Sequence, residues 1–490
     1  MRMFMTGATG FIGTALFTHL RGEGHEIIAW VRDERQAAAA LGREAELVST
    51  RCSDETLAQA LAGCDAVVNL AGSPAVRRWT KRRKTAIWSS RVDLTRRLVD
   101  AMQRLDRPPS VFVSTSAIGY YDDAGDTVVE VTTPPGRGFL AELAVAWERE
   151  AMKAERFGVR VVCIRLGVVL GRSGGPLGPA TAWFRMGLGA QLSDGRAWMP
   201  WIHLDDAVRL YAHCLAHDEL HGVLEGAAPN PVRNADFTAA LARTFGRAAP
   251  WRLPLTALRL ALGEAHLAVT ASIRLLPARV LSFGFRFRFS TLENALADIF
   301  DDRGVSIGVA RGAPESQYLN DRGASYMLSA EQSVPGSLAE VRSFFQHPEN
   351  LGLLTPPQLG FDIRTRLPTA MHAGLTIDYH VSMRGVPMRW RTQIAEFDPK
   401  TGRFVDLQLR GPYRSWYHVH EFEEAGGRTI IRDRVFYRPP FGWLGRLAHA
   451  LFIRRQLTDI FAHRARVVDS RFSRRTGSPM RVEAPMEVGG

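Results

Sequence analysis

Two stretches of the 490-residue chain carry residue types that could do chemistry together. The first is Thr6-Gly7-Ala8-Thr9-Gly10-Phe11-Ile12-Gly13. It follows a short apolar strand, Met1 to Met5, and opens a helical pattern through Ala15, Leu16 and Leu20. Strand, glycine turn and helix in that order aim backbone N–H groups and a helix N-terminus at a pyrophosphate. Gly7 suits the tight turn, Gly10 the close approach of phosphate, and Gly13 the packing of helix on strand. Gly7, Thr9, Gly10, Phe11, Ile12 and Gly13 are therefore the candidate cradle. The second stretch is Ser114-Thr115-Ser116-Ala117-Ile118-Gly119-Tyr120-Tyr121, at the end of the apolar run Ser110 to Val113. Hydroxyls at a strand end can touch a substrate carbonyl or alcohol.

Other strands must bring these stretches together. His25 to Val31 reads as the second strand. In NAD-preferring domains an acid ends this strand and holds the adenosine ribose. Here the strand ends at Val31, followed by Arg32, which could pair with a 2′-phosphate. NADP(H) is thus favoured over NAD(H), against Asp33 one residue on and a merely solvated arginine in a βα turn. Asp65 to Gly72 is a buried strand whose end, Leu70-Ala71-Gly72, leaves room for a dinucleotide, beside Ser114 on the next strand. Val159 to Gly167 is a further buried strand. Strands alternating with helical segments at this spacing predict an α/β fold, a Rossmann-type doubly wound parallel sheet.

Length implies two or three domains, and 46% apolar with 23% charged residues implies a globular chain. No stretch approaches the ~20 apolar residues of a membrane span, and the N-terminal apolar run ends at the glycine turn, too early for a signal peptide. Four scattered cysteines show neither metal spacing nor a disulfide framework, so a cytoplasmic location is expected. The net charge of +12 and the cluster Arg77 to Lys84 invite a nucleic-acid reading. No helix-turn-helix, zinc-finger or RNA-binding motif supports it, and the cluster reads equally as a solvated helix face.

Thr6 to Gly13, the Ser114-Thr-Ser116 strand end, Arg165-Leu-Gly and Trp201-Ile-His-Leu-Asp-Asp206 resemble the extended short-chain dehydrogenase/reductases. Arg78-Trp79, Lys84, Ser90-Arg91-Val92, Ala117 to Tyr121, Phe139 to Glu142 and Trp147-Glu148 resemble one atypical, epimerase-like, NADP(H)-binding subfamily. Its short C-terminal module is matched by Leu260 to Glu264, Pro277 and Phe283 to Glu293. The resemblance implies a Tyr-x-x-x-Lys pair near residues 140 and 144, but Leu140 and Ala144 stand there and cannot titrate. Arg91 replaces the usual asparagine of the preceding helix. Ser116 matches the catalytic serine and Tyr120 the tyrosine that follows it, with Tyr121 beside it. The implied roles are polarisation of a substrate oxygen by Ser116 and proton donation by Tyr120 or Tyr121. Arg91 would serve an oxyanion or the cofactor phosphates. The tyrosines could equally pack beneath the nicotinamide.

The glycine-rich segment Gly171 to His203 reads as a substrate loop, with Arg185 as an anion contact and Trp198 and Trp201 as apolar walls. His213, His217 and His221 share a helical face but read as a solvated helix end rather than a metal site. The expected organisation is a nucleotide domain over 1–235, the C-terminal module over 236–300, a linker over 301–324, a second domain over 325–470 and a disordered tail over 471–490.

In that second domain Tyr326–Val334, Leu375–Val381, Met388–Phe397, Phe404–Arg410, Trp416–Phe422 and Thr429–Tyr437 alternate as antiparallel strands. A long helix carrying Leu444, Leu447, Leu451, Leu457 and Phe461 on one stripe closes the domain. With Phe345, Pro348 to Leu351 and Leu354-Thr-Pro-Pro357, this resembles the START-like helix-grip domains of the polyketide-cyclase and lipid-transport branch, an α+β fold. The resemblance implies an apolar ligand between sheet and helix. His418 and His420 lie on one strand face, as cavity acids or as ordinary cross-strand packing. The expected function is an NADP(H)-dependent reductase or epimerase for a small, apolar substrate; the alternative is a non-catalytic sensor of NADP(H) or carrier of a lipid or polyketide.

Overall fold

A computed structural model of the chain describes residues 1–473 apart from 42–44, 173, 303, 357–358, 360, 366, 369 and 384–385. It divides into two units, Met1–Asp301 and Asp302–Gly490.

The first unit is built on a seven-stranded parallel sheet. Its strands are β1 (Arg2–Thr6), β2 (Glu26–Val31), β3 (Glu46–Ser49), β4 (Ala66–Asn69), β5 (Val111–Ala117), Arg160–Leu166 and Gly222–Gly226. In space the last two strands lead, followed by β5, β4, β1, β2 and β3. The interior strands are near-continuous apolar runs because helices cover both faces, as parallel sheets require. Met3, Met5, Val68 and Ile164 enter one buried layer, and Phe4, Val67, Phe112 and Val161 the other. Strand order reverses between β1 and β4, so a crevice opens above their C-terminal ends. The Rossmann-type α/β expectation holds.

Helices α1 (Phe11–Gly22), α2 (Glu34–Leu41), α3 (Asp54–Leu61), α4 (Lys81–Trp88), α5 (Leu94–Gln103) and α6 (Phe139–Met152) connect these strands. Between α4 and α5 the chain makes a π-turn, Ser89–Asp93. Part of the basic cluster is engaged: Lys84 meets Glu264 of the C-terminal module at 2.6 Å and lies over the Trp79 and Phe139 rings. The His213 ring packs at a tilt against His217 at the end of the Leu204–Ala216 helix and contacts the Phe283 carbonyl.

The second unit is α+β. Eight antiparallel strands run in the order Ser306–Val309, Tyr326–Val334, Arg428–Arg438, Ser415–Ala425, Phe404–Arg410, Val386–Phe397, Thr376–Met383 and Asp362–Ile363. The helices Leu338–Gln346 and Arg454–Ser473 pack against this sheet. The stretch read as a linker contributes the edge strand Ser306–Val309 and a short helix, Gln317–Arg322. The single closing stripe does not form as expected. A π-turn at His449–Ile453 adds a residue to the turn and rotates the face. Leu457 and Phe461 are buried, while Leu444, Leu447 and Leu451 are exposed. Residues 471–473 belong to the last helix, and the rest of the expected tail, 474–490, lies outside the described residues. Among the described residues no helix is long and apolar enough to cross a membrane.

Candidate functional site

Gly7 has φ +67°, and a Cβ there would lie 2.7 Å from the Leu70 carbonyl carbon. A Cβ on Gly13 would lie 2.0 Å from the Gly7 oxygen, so only glycine lets α1 approach β1 this closely. Gly10 caps α1 and donates to the Gly7 carbonyl at 2.9 Å. The first-turn amides of Phe11 and Ile12 have no backbone acceptor among the described residues, leaving donors at a helix N-terminus above the crevice. Thr9 is exposed on the turn. The Phe11 ring itself packs under Gly171 and Gly174, where a Cβ would come within 2.7 and 2.2 Å of it. Part of the glycine-rich segment therefore exists to seat Phe11.

A buried network ties the strand ends together. Thr6 Oγ1 donates to Asn69 Oδ1 at 2.7 Å and accepts from the Leu70 and Ala71 amides at 3.1 Å each. Asn69 Nδ2 reaches Thr95 Oγ1 and Ser114 Oγ. Ser114 is wholly buried in this network and supports the crevice floor. Leu70 and Ala71 are half-buried and Gly72 exposed at the rim.

At the end of β2, Arg32 is exposed. The Asp33 carboxylate accepts from the Arg35 and Gln36 amides at 3.0 and 3.1 Å and so caps α2. The acid that competes with Arg32 is thus already engaged.

Ser116 is buried and donates to Glu148 Oε1 at 2.6 Å. Glu148 forms a bidentate pair with Arg165 (Nε–Oε1 2.8 Å, Nη2–Oε2 2.9 Å). Arg165 Nη1 donates to the Tyr121 hydroxyl at 3.0 Å, and its guanidinium stacks on the Tyr120 ring at 3.3 Å. Tyr121 donates to the Glu130 carbonyl, and burial pushes its pKa up. Both side chains, Ser116 and Tyr121, are held by the network in this arrangement. The Ser116 proton is committed to Glu148, and Tyr121 is a buried strut rather than a proton donor. Tyr120 is half-buried, and among the described residues its hydroxyl has no partner. Leu140 packs on Gly119, and Ala144 is buried one turn before Glu148 on α6.

Arg91 sits in the π-turn over Gly72, where a Cβ would lie 2.8 Å from its Nη2. Its Nη1 donates to the Ser73 carbonyl at 3.0 Å, and it rests on the Trp147 ring. Burial pulls its pKa down to about 10, and no carboxylate faces it among the described residues. Such a cation beside the crevice suits an anion.

The proposed substrate residues part company. The Trp198 ring is contacted by the guanidinium groups of Arg233 and Arg274, and its indole N–H donates to Asp126 at 2.8 Å. Arg185 ends the Leu177–Arg185 helix, stacked on Phe245. Trp201 is 0% exposed, with its indole N–H on the Asn230 carbonyl. It is core, not a substrate wall. Glu148 and Arg165, quoted above only as carriers of the resemblance, prove to be the centre of this buried network. Their signal was a charge inside an otherwise apolar strand and another on the apolar face of a helix, each of which demands a partner.

In the second unit, sheet and helix enclose a cavity of about 190 Å³ walled by Phe345, Leu354, Met371, Tyr379, Trp390 and Ile394. One end is polar. Asp406 pairs in register with His418, and Asp433 with His420. Each imidazole bridges both carboxylates. His418 contacts Asp406 at 3.2 Å and Asp433 at 3.1 Å; His420 contacts them at 2.9 and 2.8 Å. Arg464 reaches Asp433 at 3.0 Å. Burial opposes the charge on His418, but Asp406 and Asp433 raise its pKa; burial and His418 lower that of His420.

Sheet order, glycine cradle and strand-end hydroxyls define the first unit as a Rossmann-type, dinucleotide-binding unit of the short-chain reductase kind. Residues 3–224 match the NAD dependent epimerase/dehydratase family and residues 253–299 a domain of unknown function (DUF1731). The chain belongs to this epimerase family, in the SDR39U1-like group that carries the short C-terminal module. It is 36% identical over 301 residues to the chloroplastic epimerase family protein SDR39U1 homolog of Arabidopsis thaliana, covering 61% of this chain and 86% of that one. It aligns with the crystal structure of human epimerase family protein SDR39U1 (isoform 2) with NADPH at TM-score 0.55 and 31% identity, covering 61% of this chain and 99% of that one. UDP-glucuronic acid 4-epimerase from Bacillus cereus, in complex with UDP-glucuronic acid and NAD, shares the fold at 17% identity and TM-score 0.51, over 61% of this chain and 98% of that one.

Proposed function

We propose that the first unit binds NADP(H) and exchanges hydride with a small, apolar carbonyl or alcohol substrate. The observation that carries the cofactor preference is Arg32: exposed at the end of β2, with Asp33 turned away to cap α2. The human relative bound to NADPH supports the same reading. Gly7, Gly10 and the Phe11 and Ile12 amides would hold the pyrophosphate, Leu70 to Gly72 the crevice wall, and Arg91 a phosphate or a developing oxyanion. A bound nicotinamide supplies or accepts the hydride. Tyr120, whose hydroxyl has no partner among the described residues, is the proton donor, and the Glu148–Arg165 pair fixes the ring by stacking. The Ser116 oxygen has lone pairs but no spare proton, so it orients a substrate hydroxyl rather than polarising a carbonyl. Nucleotide domain (1–235) and module (236–300) would act together, Trp198 and Arg185 contributing to the substrate side. The second unit is START-like and holds an apolar ligand in its cavity.

A second reading has its own support. Leu140 and Ala144 occupy the places of the proton-transferring pair, and Ser116 is engaged by Glu148. A non-catalytic sensor of NADP(H) fits those observations. Deuteride transfer from labelled NADPH into cell-extract metabolites separates the two. Label in a product establishes the enzyme. Its absence, with protein that binds NADPH, leaves the sensor.

A further inference from the structure

The polar end of the second unit's cavity has the layout of a metal centre. Asp406, His418 and His420 each bring a ligand atom within 4.8 Å of the others. The Asp406 oxygen stands 3.2 Å from His418 Nδ1 and 2.9 Å from His420 Nε2. A cation bonded at ~2.1 Å to adjacent donors sets those donors about 3.0–3.4 Å apart. The far nitrogens, His418 Nε2 and His420 Nδ1, both face Asp433 Oδ1. A carboxylate behind the histidines is what orients metal-bound imidazoles and raises their basicity. Asp406, His418, His420 and Arg464 line the cavity, whereas Asp433 is not part of that lining. Free coordination positions would therefore open toward the apolar space.

The register explains why the set converges. His418 and His420 share a strand face, with Asp406 on the neighbouring strand to one side and Asp433 on the strand to the other. With both imidazoles neutral, two carboxylates and Arg464 leave one net negative charge in a buried site. Either a proton or a cation must balance it.

We propose that Asp406, His418 and His420 bind one divalent transition-metal ion, with Asp433 as the carboxylate that orients both histidines. Two imidazoles and one carboxylate select zinc- or iron-type ions over magnesium and calcium, which prefer all-oxygen shells. The ion faces the cavity and binds an oxygen of a ligand whose remainder is apolar.

The test uses the full chain, stripped with a chelator and titrated with Co2+ and with Zn2+ alone. The expected result is one equivalent per chain and a visible cobalt spectrum of nitrogen–oxygen coordination. Asp433→Asn should weaken Zn2+ ~10- to 100-fold, and His420→Ala should abolish stoichiometric binding, whereas Gly22→Ala leaves it unchanged. If His420→Ala does not fold, the wild-type cobalt spectrum still decides. Absence of stoichiometric binding by wild type, or binding that His420→Ala leaves intact in folded protein, overturns the proposal and makes the cluster a closed ion network.

Discussion

The Ser116 hydroxyl donates to the Glu148 carboxylate across 2.6 Å, and Glu148 in turn grips Arg165 with both oxygens. This buried chain links β5, α6 and the strand Arg160–Leu166. Glu148→Gln would keep much of the shape but leave Arg165 without its counter-charge. Uncompensated burial of a guanidinium costs ~3–5 kcal/mol. Urea unfolding of the first unit should show that loss, and a change below about 1 kcal/mol would remove the pair from the account of this site.

Gly13→Ala should abolish nucleotide binding, because its Cβ would lie 2.0 Å from the Gly7 oxygen and force α1 away from the turn. Gly22→Ala, at the other end of α1 with nothing within 4 Å, is the control and should bind normally. Fluorescence titration with NADPH checks both. Retained affinity in Gly13→Ala would mean that the cradle is not formed by this turn.

Trp198 and Trp201 should separate cleanly. Trp201→Ala empties a fully buried site and should cost ~3–5 kcal/mol in thermal or denaturant unfolding. Trp198→Ala, half-buried against two guanidinium groups, should cost clearly less. Equal losses would place both in the core.

The four cysteines should differ in reactivity. Burial pushes the Cys64 thiol up to about 11, Cys214 up to about 12 and Cys163 well above the ordinary range, so their thiolate fractions at neutral pH are minute. Cys52 is the partly exposed one. In native protein a thiol reagent should label one cysteine rapidly, and all four after denaturation. Rapid labelling of two or more in native protein would contradict the packing around them.

Much of the fold was legible because its signals are local. Strand, glycine turn and helix identify themselves by spacing, and the alternating strands of the second unit lie close to their expected positions. What escaped depends on neighbours distant in sequence. Trp201 reads as a site aromatic until its carbonyl partner at Asn230 is known, and neither strand end announces that Asn69 holds Ser114. Glu148 and Arg165, 17 residues apart in sequence, meet only once α6 packs beside the sheet. The split of the Leu444-to-Phe461 stripe follows from a π-turn, which no periodicity announces. The pairing of His418 and His420 with two aspartates needs the strand register.

In the proposed function Arg32, exposed at the end of β2 while Asp33 caps α2, selects the phosphorylated cofactor. Calorimetric titration of wild type and Arg32→Ala with NADPH and NADH tests it most directly. Wild type should prefer NADPH, and Arg32→Ala should lose ~1.5–3 kcal/mol with NADPH, the scale of a charge-assisted hydrogen bond, and little with NADH. Equal losses for the two nucleotides, or a wild-type preference for NADH, would contradict the account.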